Sequence, residues 1–120
     1  MILNVEISET PSSLERGLMF RKALANNKGM IFIFSHAQEL RFWGYNTYIP
    51  LDIAFIDKNL NIVKIADIKP LSTKIVSSDK ECIMAIEANL DFFRDNKIRI
   101  GDKVEFIRGE EGMGIVKFKK

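Results

Sequence analysis

The chain has 120 residues, enough for one domain that buries about two thirds of the surface its unfolded form exposes. Hydrophobic residues make up 47% and charged residues 28%, close to folded globular averages, which excludes disordered, collagen-like and membrane-spanning classes. The 18 Lys and Arg stand against 16 Asp and Glu, a net charge of +2, with the two signs interleaved, so no nucleic-acid-binding block is formed.

Residues 2–7 place Ile2, Asn4 and Glu6 on one side and Leu3, Val5 and Ile7 on the other, the alternation of a half-buried first strand that ends near Ser8. Thr10 followed by Pro11 supplies an N-cap and a first-turn proline. A short helix is predicted there, with Leu14, Leu18 and Ala23 or Leu24 at helical spacing. Gly17 in its middle costs about 1 kcal/mol against Ala, so packing must hold it. A turn over 26–29 leads into the apolar run 30–34, a buried strand, with His36 exposed in the loop that follows. Residues 52–57 and 62–65 flank 58–61 as a hairpin in which Asn59 takes the left-handed position. Further strands are expected around 72–76, 81–87 and 103–107, with a short helix near 90–95. A closing hairpin spans 104–119, its turn carrying Gly109, Gly112 and Gly114 beside two glutamates that would repel a phosphate.

Many short strands with few helices predict a mainly β (α+β) fold, a small, mostly antiparallel barrel-like or sandwich domain over residues 1–120. There are no internal repeats or linkers. The start lacks a basic n-region, Glu6 and Glu9 interrupt any signal-like stretch, and no apolar run approaches the roughly 18 residues of a membrane span. With Cys82 the single cysteine, no internal disulfide can form, and a cytoplasmic location is the expectation.

Three stretches then stand out: Glu15-Arg16-Gly17-Leu18-Met19-Phe20-Arg21, Gly29-Met30-Ile31-Phe32-Ile33-Phe34, and Phe42-Trp43-Gly44-Tyr45-Asn46-Thr47-Tyr48-Ile49-Pro50-Leu51-Asp52 with the apolar strand after it. Together with Ala85-Ile86-Glu87 and Ile100-Gly101-Asp102-Lys103-Val104, they make the chain resemble, over residues 3–106, the family called domain of unknown function 192. The resemblance implies a small β-barrel-like domain with a helix after the first strand, and it brings no established activity, substrate or cofactor. That family usually reads Phe-Trp-Met-Lys-Asn-Thr, so Gly44 and Tyr45 here remove a cation from the motif.

The candidate ligand-binding residues are Arg16, Trp43, Asn46, Thr47, Asp52 and Glu87. Arg16 and Arg21 sit five apart, about 140° around a regular helix, so only one can face a pocket. Arg16, at the helix centre, is the better placed to present its planar fork to a carboxylate bidentately; the alternative is a structural ion pair with Asp52 or Glu87. Trp43, the only tryptophan, can stack a flat ligand face while Asn46 and Thr47 orient it; the alternative is a core tryptophan beside a turn. Asp52 opens an apolar strand and needs a partner if it points inward, and Glu87 stands in a similar position. Met19, Met30 and Met84 read as core filler, Cys82 as an inert buried thiol and Lys117, Lys119 and Lys120 as a solvated strand end.

Three functions fit these residues. The first is a non-catalytic module that binds a small polar molecule at one pocket on the loop-like segments. The second is a hydrolase or lyase using Asp52 and Glu87 as general acid and base, with Arg16 stabilising developing charge. The third is a protein-interaction module, its motifs structural and its surface centred on Tyr45 and Tyr48. No residue is assigned as catalytic, no metal site or cofactor is expected, and neither nucleic acid nor membrane is an expected partner.

Overall fold

The computed structural model describes residues 1–120. Seven strands form one sheet: β1 (Ile2–Ser8), β2 (Lys28–Phe42), β3 (Leu51–Ile56), β4 (Ile62–Ile68), β5 (Val76–Asn89), β6 (Lys103–Arg108) and β7 (Met113–Lys119). Helix α1 (Pro11–Arg16) lies between β1 and β2, and α2 (Phe92–Asp95) between β5 and β6. The strand order is β4-β3-β5-β2-β1-β7-β6. Every neighbouring pair is antiparallel except β1 and β2, whose parallel pairing needs the long crossover that carries α1. No helix is long and apolar enough to cross a membrane.

The sheet curls into a half-barrel. Register shifts in the β2–β5 pair, between Ile33 and Gln38 and between Glu39 and Arg41, add the local twist that curling requires. At one end the two sheet edges meet: Asn61 and Lys103 bridge, and Ile62 N donates to Asp102 O at 2.9 Å. The concave side encloses a core fed by all seven strands, including Leu3, Ile31, Ile56, Ile86, Val104 and Val116. Phe92 and Phe93 of α2 close it against Phe118, Phe93 edge-on and Phe92 tilted. A second core lies on the convex side of the β2–β5–β3 sector, built from Met30, Phe32, Ile53, Phe55 and Ala85, with Leu18 and Ile49 packed over them.

Two cores explain why β3 reads as an almost unbroken apolar run. Leu51, Ile53 and Phe55 enter the outer core while Ala54 and Ile56 enter the inner one, and each of the four larger side chains contributes about 1.5–3 kcal/mol. Asp52 is the single polar residue of that strand.

Several local expectations are corrected. The helix stops at Arg16, because α1 buries no residue and so has no packing to carry it through Gly17. Its start is as expected: Thr10 and Ser13 form a capping box with Pro11 in the first turn. Gly17 takes φ +49° and ψ −129°, and Leu18 turns down into the outer core. Strand β2 continues through the expected loop to Phe42, with His36 exposed in its bulged middle. Residues 72–75 are not a strand; Val76 begins β5, which absorbs 81–87. In the β3–β4 turn the left-handed residue is Leu60 at φ +66°, not Asn59, because Asp57 Oδ1 accepts from both Asn59 N and Asn61 N at 3.0 Å and fixes the loop before it.

Candidate functional site

Glu87 belongs to the outer face of β5. It pairs across the sheet with Ile53 of β3 and Met30 of β2, both outer-core residues, and is itself only 5% exposed. Its carboxyl makes no hydrogen bond or ion pair within the chain. Buried carboxyls are ordinarily hydrogen-bonded, since an unpaired one forfeits its hydration. Burial pushes the Glu87 carboxyl up to about 8, so at neutral pH roughly nine in ten molecules carry it as a neutral acid.

The carboxyl lies at the wall of a cavity of about 210 Å³. Gly17 covers it so closely that a Cβ there would stand 4.0 Å from Glu87 Oε1 and 3.2 Å from the Phe32 ring. Glycine is therefore favoured twice, by its positive φ and by the Phe32 ring packed against it. The helix end also delivers Arg16, exposed and without an ion pair, to the cavity wall. Opposite it, Trp43 and Thr47 follow the end of β2. Trp43 is 42% exposed and packs beside Tyr45 with ring centroids 5.0 Å apart, so it is a surface aromatic and not a core one. Thr47 is buried, its hydroxyl donating to Tyr45 O at 3.3 Å with its lone pairs left for another donor.

Four of the six expected residues, Arg16, Trp43, Thr47 and Glu87, line this cavity; Asn46 and Asp52 do not. Asn46 acts through its backbone: at φ +54°, its carbonyl accepts from Phe20 N at 2.8 Å and ties the Gly17–Phe20 turn to the Trp43–Thr47 segment. Asp52 is on the opposite face, because it pairs with Ala88, the neighbour of Glu87, and successive strand residues alternate faces. The proposed contact of Arg16 with Asp52 is therefore absent. Asp52 Oδ2 instead accepts from Asp91 N at 2.8 Å, bracing the left-handed residue that launches α2. Its carboxyl is raised, with desolvation outweighing that hydrogen bond. It borders a separate cavity of about 310 Å³ with Arg94, Lys97 and Arg99. The sheet separates Asp52 from Glu87, and no acid–base pair is formed.

Arg21 was set aside on helical geometry that does not exist, since the chain has left the helix by then. It is engaged elsewhere, its guanidinium holding both Glu6 carboxylate oxygens, Nη2 donating to Oε1 at 2.7 Å. That bond, reinforced by the guanidinium charge, holds Glu6 below the usual carboxylate range. Sequence reasoning missed Arg41, which also lines the cavity and pairs with Glu39 at 3.1 Å. Its position two residues before Trp43 was the available signal. Gly44 has a structural reason: a Cβ would stand 1.9 Å from Lys69 O, so the family's Met at this point would displace the 69–72 turn.

The comparisons with known proteins agree with this architecture. The model of the family DUF192, described as an uncharacterized conserved family, matches residues 1–106. A crystal structure of a protein from Sinorhizobium meliloti 1021, described provisionally as a transcription regulator, is 34% identical, with a TM-score of 0.84 over 86% of this chain and 81% of that one. A protein of unknown function from Novosphingobium aromaticivorans DSM 12444 is 32% identical, with a TM-score of 0.82 over 84% of this chain and 73% of that one. No curated protein matches the sequence.

Proposed function

Because this chain belongs to the DUF192 family, whose description names no activity, we propose from its own residues that it is a non-catalytic module binding a small polar molecule in the cavity beneath Gly17. The observation that carries the reading is Glu87, only 5% exposed and without a partner in the chain, in a cavity that also receives Arg16, Trp43 and Thr47. Buried polar groups left unpaired cost about 1–3 kcal/mol, and a ligand that pairs them recovers that cost. The cavity holds the volume of about seven waters, below the usual range of drug-sized sites, so the ligand is small. A catalytic reading through Asp52 and Glu87 lacks support, as the two lie on opposite faces.

A regulator label on a relative raises direct nucleic-acid binding. Against it here, Arg21, Lys64, Arg108, Lys119 and Lys120 each pair with a carboxylate, and the net charge is only +2. A protein-interaction surface at Tyr45 and Tyr48, both exposed, is less favoured because a cavity adjoins them. A cytoplasmic location is part of the proposal, supported by the lone, buried Cys82.

The test is a thermal-shift screen of a metabolite library against wild type, Trp43→Ala and Asp52→Asn. A true ligand at 100 times its dissociation constant stabilises by about 2.7 kcal/mol. The gain should persist in Asp52→Asn and shrink in Trp43→Ala. Equal gains in all three proteins, or none for any compound, would remove this site.

A further inference from the structure

We propose that the cavity selects a small monocarboxylate, held by the Arg16 guanidinium and by a hydrogen bond with the Glu87 carboxyl. This inference rests on the binding reading above and assigns its ligand class.

The groups around the cavity decide the sign of the ligand. Arg16 offers an unpaired fork of N–H donors. Arg41 lines the same space, its Nη2 partly committed to Glu39 at 3.1 Å. Trp43 brings an indole N–H, and Glu87, in its neutral form, an O–H. The acceptors are fewer: the Thr47 hydroxyl, the Glu87 carbonyl oxygen and Glu15, which is exposed. A donor-rich cavity suits a ligand rich in acceptors. Arginine against a carboxylate gives two parallel charge-assisted hydrogen bonds, stronger than bonds to a neutral oxygen.

Glu87 narrows the class further. The titratable groups lining the cavity are Glu15 and Arg16 from the α1 end, Arg41 from β2 and Glu87 itself. The β2 and β3 residues paired beside Glu87, Met30 and Ile53, are apolar, and burial is the whole cause of its raised affinity for protons. An acid kept neutral this way can share its proton with an incoming carboxylate, as two carboxyls do when only one ionises. A cationic ligand would have to ionise Glu87 while facing Arg16 and Arg41. A flat hydrocarbon body fits the remaining wall, where Leu14, Leu18, Phe32 and Phe42 lie.

Because the neutral acid is the donor, binding is linked to protons. Glu87 titrates at about 8, so a carboxylate that needs it protonated binds about tenfold more weakly at pH 9 than at pH 7. Trp43, the only tryptophan and one wall of the cavity, reports occupancy by its fluorescence.

The experiment titrates Trp43 fluorescence with acetate, butyrate, benzoate and phenylacetate, and with benzamide and benzamidinium as shape-matched neutral and cationic probes, at pH 7 and pH 9. The expected result is saturable binding of one or more carboxylates, stronger than benzamide, weakened about tenfold at pH 9. Glu87→Gln, neutral at both pH values, should bind equally at both, and Arg16→Ala should weaken the carboxylate at least tenfold and benzamide by a smaller factor. Preference for benzamide or benzamidinium, or carboxylate binding that ignores pH in wild type, overturns the class while the pocket stands. Binding of none of these probes overturns it too, and if the metabolite screen is also empty, the pocket falls with it.

Discussion

Asp52 and Glu87 occupy adjacent strands one residue out of register, yet they meet opposite fates. Asp52 faces the inner side near α2, partly exposed, and its carboxylate is consumed by Asp91 N–H at 2.8 Å. Glu87 faces the outer side, beneath Gly17 at the wall of the cavity, and nothing in the chain engages it. The first is a brace for a turn and the second is a group kept neutral in a cavity. A sheet with both faces buried can thus host two carboxyls with unrelated duties, separated only by the alternation of side chains along a strand.

The comparison predicts its largest effect in the pH dependence of stability. Glu87 releases its proton near 4.5 in the unfolded chain and near 8 in the folded one. The folded state therefore binds more protons between those values, and stability falls as pH rises through that window, by up to about 5 kcal/mol. Below it the contribution is fully present, and above it the loss is complete. Urea melts of wild type and Glu87→Gln should diverge from pH 4 to pH 9, the variant being the more stable at high pH; parallel profiles would equate Glu87 with an ordinary surface carboxylate.

Next comes Gly17→Ala, which forces a side chain into a glycine conformation over the Phe32 ring. We expect a loss of about 1–3 kcal/mol and, from the filled cavity, weakened ligand quenching of Trp43. Asp52→Ala should cost about 1–2 kcal/mol by freeing Asp91 N–H, with ligand binding unchanged. Binding lost in that variant would join the two sites that the sheet holds apart. The smallest stability effect belongs to Trp43→Ala, less than about 1 kcal/mol, because the ring is half exposed and its aromatic neighbour is Tyr45. A cooperative melt displaced by several kcal/mol would return Trp43 to the core.

Much of the fold was legible because it rests on local signals. The alternation of residues 2–7, the Thr10-Pro11 helix start and the closing hairpin all appear where the pattern puts them. The misreadings came from signals that only tertiary structure supplies. Nothing local says that α1 buries no residue and so ends at Gly17, or that β2 stays extended through the polar stretch around His36 because β5 pairs beyond it. Of the site, the residue types were legible and their facing was not. Asp52 and Glu87 look alike in sequence, and only the β3–β5 register assigns them to different sides. Arg41 lies between the expected loop at 35–39 and the segment starting at Phe42, so no local pattern marks it.

The Glu87 carboxyl can be observed directly by following its side-chain carbon through a pH titration by 13C NMR, with and without saturating benzoate. The expected midpoint is about 8 in the free protein, moving higher when the carboxylate occupies the cavity. A midpoint in the ordinary glutamate range near 4.5, unmoved by benzoate, would mean that Glu87 is neither neutral nor part of a binding site.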